Sequence, residues 1–330
     1  MKVIDMHCDT ISELHKDHLQ GGSSSILENS LMIDLKKMQA GDYGLQNFAL
    51  FTSLERAEGK PFEYCMGLLD TFYTEMEAHS DMIGIVRSYR DIEDNWRKGR
   101  MSALLTIEEG GVCQGSLRFL RDFYRLGVRM MTLTWNFPNE LGFPNKRERR
   151  EDGTTYLVPD QSNGLTGTGI EFVEEMERLG MIIDVSHLND AGIWDVFRHT
   201  KKPFVASHSN ARAVCPSLRN LTDDRVRRLA ERGGCMGLNY YDKFLVDGGS
   251  KDPEVLWEAL IRQARHITDV GGTEILGLGS DFDGIPTNPA LPGAEAMPVL
   301  WDRLKTAGFT ENQLDGIFWG NVMRVYRDAL

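Results

Sequence analysis

The 330-residue chain has few cysteines, and they are badly arranged for thiolate chemistry. Cys8, Cys65, Cys113, Cys215 and Cys235 are odd in number and dispersed, and no two form a Cys-x-x-Cys pair. That argues against a thiolate zinc knuckle and a disulfide framework; reduced, mostly buried thiols in a cytoplasmic protein are expected. No run of about 18 apolar residues occurs, so no membrane-spanning helix is expected. The first residues lack the charged, apolar and small-residue regions of a secretory signal, and Val325 to Leu330 carry no anchor-like tail. Positive charge is also short: 37 Lys and Arg face 49 Asp and Glu, a net charge of −12. A nucleic-acid partner is therefore not expected, because phosphate binding needs a basic surface. The longest basic cluster, Lys146 to Asp152, is interrupted by acids and reads as a solvated loop. The glycine pairs Gly110-Gly111, Gly248-Gly249 and Gly271-Gly272 lack a phosphate-cradle context and read as turns.

What the chain does have is an alternation of apolar runs and amphipathic segments. Candidate strands are Val3 to Asp9, Leu45 to Thr52, Ala103 to Glu108, Met130 to Trp135, Met181 to His187, Phe204 to His208, Cys235 to Tyr240 and Ile275 to Asp281. Candidate helices include Phe62 to Glu77, Ser116 to Leu126, Glu171 to Leu179, Asp190 to Phe197, Asp223 to Glu231 and Pro253 to Val270. This pattern predicts one α/β domain over residues 1–330, a (β/α)8 TIM barrel with a helical insertion, Leu54 to Lys98, between strands two and three. The long loop Asn136 to Thr166, rich in Gly, Pro, Asn and charge, is a candidate lid.

Chemistry-bearing residues recur at the strand ends, where such barrels carry their active sites. His7 and Asp9, two residues apart, share one strand face, while Cys8 points the other way. Strand three ends at Glu108-Glu109, strand five at His187, strand six at His208 and strand eight at Asp281-Phe282-Asp283. Three of the eight histidines thus sit at three strand ends, each beside an acid or hydroxyl. Imidazole and carboxylate suit Zn, Mn, Co or Fe. These groups exceed the needs of one ordinary zinc site and suit two metals, His7 and Asp9 on one, His187 and His208 on the other, with a bridging carboxylate from Glu108-Glu109. Alternation alone leaves the choice between those two glutamates open.

The pieces Asp5-Met6-His7-Cys8-Asp9, Glu109-Gly110-Gly111, Arg178-Leu179-Gly180 with Asp184-Val185-Ser186-His187, Ser207-His208-Ser209, Arg219-Asn220 and Gly279-Ser280-Asp281-Phe282-Asp283-Gly284 resemble the membrane (renal) dipeptidases and their bacterial relatives. The resemblance covers nearly the whole chain. It implies a (β/α)8 dipeptidase with two Zn2+ per chain, a bridging role for Glu109, and tolerance of a D-residue at the substrate's C-terminal position. A guanidinium at Arg219 can clamp the substrate carboxylate, with a surface pair to Asp223 or Asp224 as its ordinary alternative. Asp281 is the candidate catalytic proton carrier, and Asp283 a residue supporting it. The expected mechanism is hydrolysis without a covalent intermediate. A metal-bridging hydroxide attacks the scissile carbonyl, and Asp281 passes the proton to the leaving amine.

Two departures bear on substrate choice. Trp135 stands where animal members of that family have a His after the fourth strand, which leaves Trp135 and Asn136 as candidate substrate-binding residues. Phe244 matches a Tyr, so a hydroxyl near the substrate would have to come from Tyr240 or Tyr241. The competing expectations are a related two-metal amidohydrolase acting on a small non-peptide amide or lactone, and a non-catalytic barrel. A homodimer is compatible with the resemblance. His15, His18, His79, His199 and His266 read as surface residues.

Overall fold

The computed structural model describes residues 1–57 and 59–330. Its strands are β1 (Val3–Asp5), β2 (Tyr43–Phe51), β3 (Ile83–Val86), β4 (Met101–Glu108), β5 (Met130–Thr132), β6 (Lys146–Arg149), β7 (Thr155–Val158), β8 (Ile182–Asp184), β9 (Val205–Ala206), β10 (Cys235–Leu238) and β11 (Leu276–Leu278). Eight pair in parallel in the order β2-β1-β11-β10-β9-β8-β5-β4, and β4 returns to β2 along Leu45 to Phe51, closing the expected barrel. Apolar residues dominate these strands because a parallel barrel strand is covered on both sides; β4 is buried along its whole length. Each anticipated helix forms, within a few residues of its expected ends. The helix Pro61–Ala78 opens on a proline in its first turn, where a missing N–H costs nothing.

Two segments differ from expectation. The region between the second and third barrel strands holds the helices Pro61–Ala78 and Tyr89–Arg97, but also β3. This strand lies beside β4 at Met101 to Leu104, outside the ring. Four residues, one of them glycine, give too short a periodic signal to separate a strand from a helix linker. Gly84 accepts a hydrogen bond from Asn95 Nδ2 at 2.9 Å, and Asn95 packs where a side chain at Gly84 would sit. The second difference is the loop Asn136 to Thr166, which projects an antiparallel ribbon, β6 against β7, with Arg147 opposite Leu157.

The core has two parts. The larger lies between the barrel wall and its surrounding helices. The smaller gathers Ile4, Met6, Leu104, Met130, Ile182, Val205 and Cys235 against Val322, Val325 and Tyr326 of the C-terminal helix Asn321–Ala329. That helix stoppers the barrel end opposite the strand C-termini. Tyr326 reaches Asn47 of β2 through hydroxyl and amide, at 2.7 and 2.9 Å. Among the described residues no helix is long and apolar enough to cross a membrane.

Candidate metal centre and active-site cleft

The site grows from two buried aspartates, each clamped to a neighbouring strand. Asp5, the last residue of β1, accepts from the backbone N–H of His7 (3.2 Å), from Ser280 N (2.9 Å) and from Ser280 Oγ (2.5 Å). Asp184, the last residue of β8, accepts from Ser186 N (3.0 Å), Ser207 N (2.9 Å), Ser207 Oγ (2.6 Å) and Thr132 Oγ1 (2.7 Å). These clamps aim the residues that follow into the barrel mouth. His7 Nε2 lies 3.6 Å from Asp9 Oδ2, 3.5 Å from Glu108 Oε2 and 3.9 Å from Asp281 Oδ1. His187 Nε2 lies 3.0 Å from Glu108 Oε1 and 3.0 Å from His208 Nε2. His208 Nε2 is 3.5 Å from the same Glu108 oxygen.

Glu108, not Glu109, therefore faces the histidines, one oxygen toward His7 and the other toward His187 and His208. The expectation for Glu109 is corrected by its backbone. Glu109 leaves β4 with φ 93°, and its carboxylate turns back to accept from Gly111 N (2.8 Å), Trp135 N (3.1 Å) and Asn139 Nδ2 (2.5 Å). It ties down the turn after the strand. His187, Asp281 and Asp283 also have positive φ, at 73°, 63° and 66°. Such backbone conformations cost energy in non-glycine residues and gather at functional sites.

The histidine tautomers follow from the network. The Ser207 hydroxyl has one proton and donates it to Asp184, so at 2.7 Å it accepts from His208 Nδ1. His187 Nδ1 lies 3.1 Å from Asn136 Oδ1, which can only accept. Both imidazoles then offer an Nε2 lone pair to the centre, the state a metal ligand needs. Asn136, expected to bind substrate, lines the cleft and also orients His187.

Electrostatics favour a cation here. Burial, with help from His7 and Arg219, pushes His187 and His208 well below the usual histidine range, keeping them neutral. Burial opposes charge on His7, but Glu108 and Asp9 raise its pKa well above the usual value. Burial also raises Glu108, and lifts Asp281 to about 6. Both ring nitrogens of His7 and Oδ1 of Asp9 are buried without a hydrogen-bond partner among the described residues. Polar atoms left so cost free energy that a coordinated cation would recover. Ligand atoms of His7, Glu108 and His208, and of His7, Asp9 and Asp281, lie within 4.8 Å of one another in each set. The residues fit a divalent-metal centre. Gly284 is required beside it, because a Cβ there would strike the Asp9 carboxylate.

The centre opens into a cleft of about 510 Å³ lined by Asp9, Glu108, Trp135, Asn136, His187, Arg219, Tyr241, Phe244 and Asp281. Arg219 is buried, its Nε and Nη2 have no partner among the described residues, and its guanidinium lies 5.4 Å from the Phe244 ring centre. The alternative surface pairing is not seen: Asp223 holds His266, and Asp224 holds Arg225 and Arg228. Trp135 packs on Phe51, with ring centres 4.9 Å apart. Tyr240 turns into the core toward Met297, which leaves Tyr241 as the hydroxyl lining the cleft. Asp281 accepts from Asn239 Nδ2 at 2.9 Å. Asp283 instead holds Thr10 Oγ1 (2.6 Å) and Met32 N (2.7 Å), bracing the loops around the mouth. Cys8 donates to the Asn47 carbonyl, away from the centre, and all five cysteines are free and buried. Sequence reasoning missed Ser207 and Asp184 as supports, and Arg147, which lines the cleft from the ribbon it had assigned to solvent. Only the ribbon's register could have found Arg147.

A closed parallel barrel with this donor set at its C-terminal mouth defines a metal-dependent hydrolase. The chain belongs to the membrane dipeptidase family (peptidase family M19), whose model matches residues 1–330, and it is a metallo-dipeptidase of that family. It is 32% identical over 311 residues to an uncharacterized dipeptidase of Schizosaccharomyces pombe, covering 89% of this chain and 71% of that one. It is 32% identical over 309 residues to a dipeptidase of Aspergillus oryzae, covering 90% and 70%. A solved M19 dipeptidase superposes with TM-score 0.88 at 26% identity, covering 100% and 98% of the two chains. The fold is shared equally, TM-score 0.88 at 24% identity and 100% and 99% coverage, with a Rhodobacter sphaeroides metallopeptidase liganded with a phosphinate mimic of L-Ala-D-Ala.

Proposed function

We propose that this dipeptidase works with two zinc ions and accepts dipeptides with an L- or a D-residue at the C-terminal position. His7 and Asp9 would hold one ion and His187 and His208 the other, with Glu108 facing both pairs. When bound, such a pair supplies a polarised scissile carbonyl and a water of lowered pKa. The Rhodobacter neighbour's L-Ala-D-Ala mimic supports tolerance of a D-residue. His187 and His208 stay neutral through burial and the hydrogen bonds at their far nitrogens. Asp281, lifted to about 6 by burial and steadied by Asn239, takes a proton from the attacking water and returns it to the leaving amine. Trp135 and Phe51 form an apolar wall beside the scissile bond.

The observation that carries this reading is Arg219. A buried guanidinium without a partner costs several kcal/mol unless an anion meets it. It shares one cleft with the candidate metal centre, so a substrate held there by its free carboxylate would keep the neighbouring bond in the same cleft. Arg219→Gln should lower kcat/KM for free-carboxylate dipeptides by about 100-fold, roughly the worth of a buried charge pair. It should change hydrolysis of the C-terminal amides far less. Equal losses on both would remove the carboxylate role.

A further inference from the structure

We propose that Arg147 forms a second anion subsite, which selects dipeptides whose C-terminal residue carries an acidic side chain. This rests on the dipeptide reading above. Arg147 and its cross-strand partner Leu157 both line the active-site cleft, so one face of the β6–β7 ribbon forms part of the cleft wall. The charged groups flanking Arg147 are engaged. Lys146 lies 3.5 Å from Asp160, Glu148 accepts from the Tyr156 hydroxyl at 2.9 Å, Arg149 donates to the Gly153 carbonyl at 3.2 Å, and Arg150 stacks 4.7 Å from the Tyr156 ring centre. Arg147 rests only on the Phe137 ring, 5.4 Å from its centre, and meets no carboxylate among the described residues.

The ribbon's root joins the loop that carries Arg219. Asn145 Nδ2 donates to the Leu218 carbonyl at 3.0 Å. Two residues past Asn145 is Arg147; one past Leu218 is Arg219. The segments that carry the two arginines are tied together there, and both arginines line the cleft. If Arg219 takes the terminal carboxylate, Arg147 faces the side chain of the same residue. Leu157 beside it covers the side-chain methylenes.

The test compares L-Ala-Asp with its neutral isostere L-Ala-Asn, with the C-terminal residue in the L and in the D form. The wild type should favour the Asp substrate in kcat/KM, mainly through KM, and less so as salt rises. In Arg147→Gln the Asp-to-Asn ratio should fall by about five- to tenfold, as for a partly exposed ion pair. Arg147→Glu should turn the preference toward L-Ala-Lys. Arg147 is exposed, so these variants should fold. A wild-type ratio near one, or a ratio unchanged in Arg147→Gln, overturns the subsite. The second result would also follow if Arg147 shared the terminal carboxylate, since both substrates would then lose alike. Failure of the dipeptide reading looks different: neither substrate is cleaved.

Discussion

At the residue scale, the histidines depend on what stands behind them. His208 reaches the centre with the correct nitrogen free only because the Ser207 hydroxyl donates its hydrogen bond to Asp184 and so accepts from His208 Nδ1. Ser207→Ala should weaken zinc binding about 10- to 100-fold, in the range found when the group behind a ligand histidine is removed. Titration of zinc against a chromophoric chelator measures this. Ser207→Thr, which keeps the hydroxyl, should recover most of the loss, and unchanged affinity in the alanine variant would contradict the tautomer argument. The same scale shows where sequence reasoning stops. His7, Asp9, His187, His208 and Asp281 stood out because each lies within a few residues of the C-terminal end of a barrel strand, the end where such folds gather their chemistry. Glu108 and Glu109 were not separable, because the deciding fact is a left-handed backbone at Glu109. With that backbone its carboxylate meets Gly111, Trp135 and Asn139, partners supplied by the folded turn.

At the element scale, the layer of helices around the barrel is pinned by side chains that cross between them. Glu175 on the helix Gly167–Leu179 meets Arg178 of the same helix at 2.6 Å and Arg121 of the helix Leu117–Arg125 at 2.5 Å. Hydrogen bonds from Arg178 and then Arg121 outweigh partial burial and lower the Glu175 pKa from 4.5 to about 2. A depressed folded-state pKa gives stability that is complete above the unfolded value and fades as pH falls through the folded one. Glu175→Gln should therefore cost about 1–2 kcal/mol at pH 7, a figure reduced because both arginines reach water. The gap to wild type should narrow as pH falls from about 4.5 toward 2. Urea unfolding at pH 7 and pH 3 checks it, and an equal gap at both would contradict the linkage. Elements were legible in proportion to their length. The helices Asp223–Glu231 and Pro253–Gly271 show their apolar stripe plainly. β3 and the ribbon strands are four residues each, and what makes them strands is a partner brought in by the fold.

At the scale of the whole molecule, strand–helix alternation and the recurrence of His and acid at strand ends made both the barrel and its active end readable. The C-terminal helix as stopper was not readable, since Val322, Val325 and Tyr326 show an ordinary amphipathic stripe whose destination only the closed barrel supplies. The ribbon's contribution to the cleft was hidden for the same reason. The central claim is that the groups at the barrel mouth hold a pair of metal ions that act on dipeptides. Its most direct test is metal content per chain, measured together with hydrolysis of a small L,L- and L,D-dipeptide panel, before chelation, after it, and after zinc is returned. The account predicts about two zinc ions per chain, loss of dipeptide cleavage on chelation and its recovery with zinc. Dipeptide cleavage that persists at full rate in metal-free protein, or a purified chain that takes up no zinc, would contradict it.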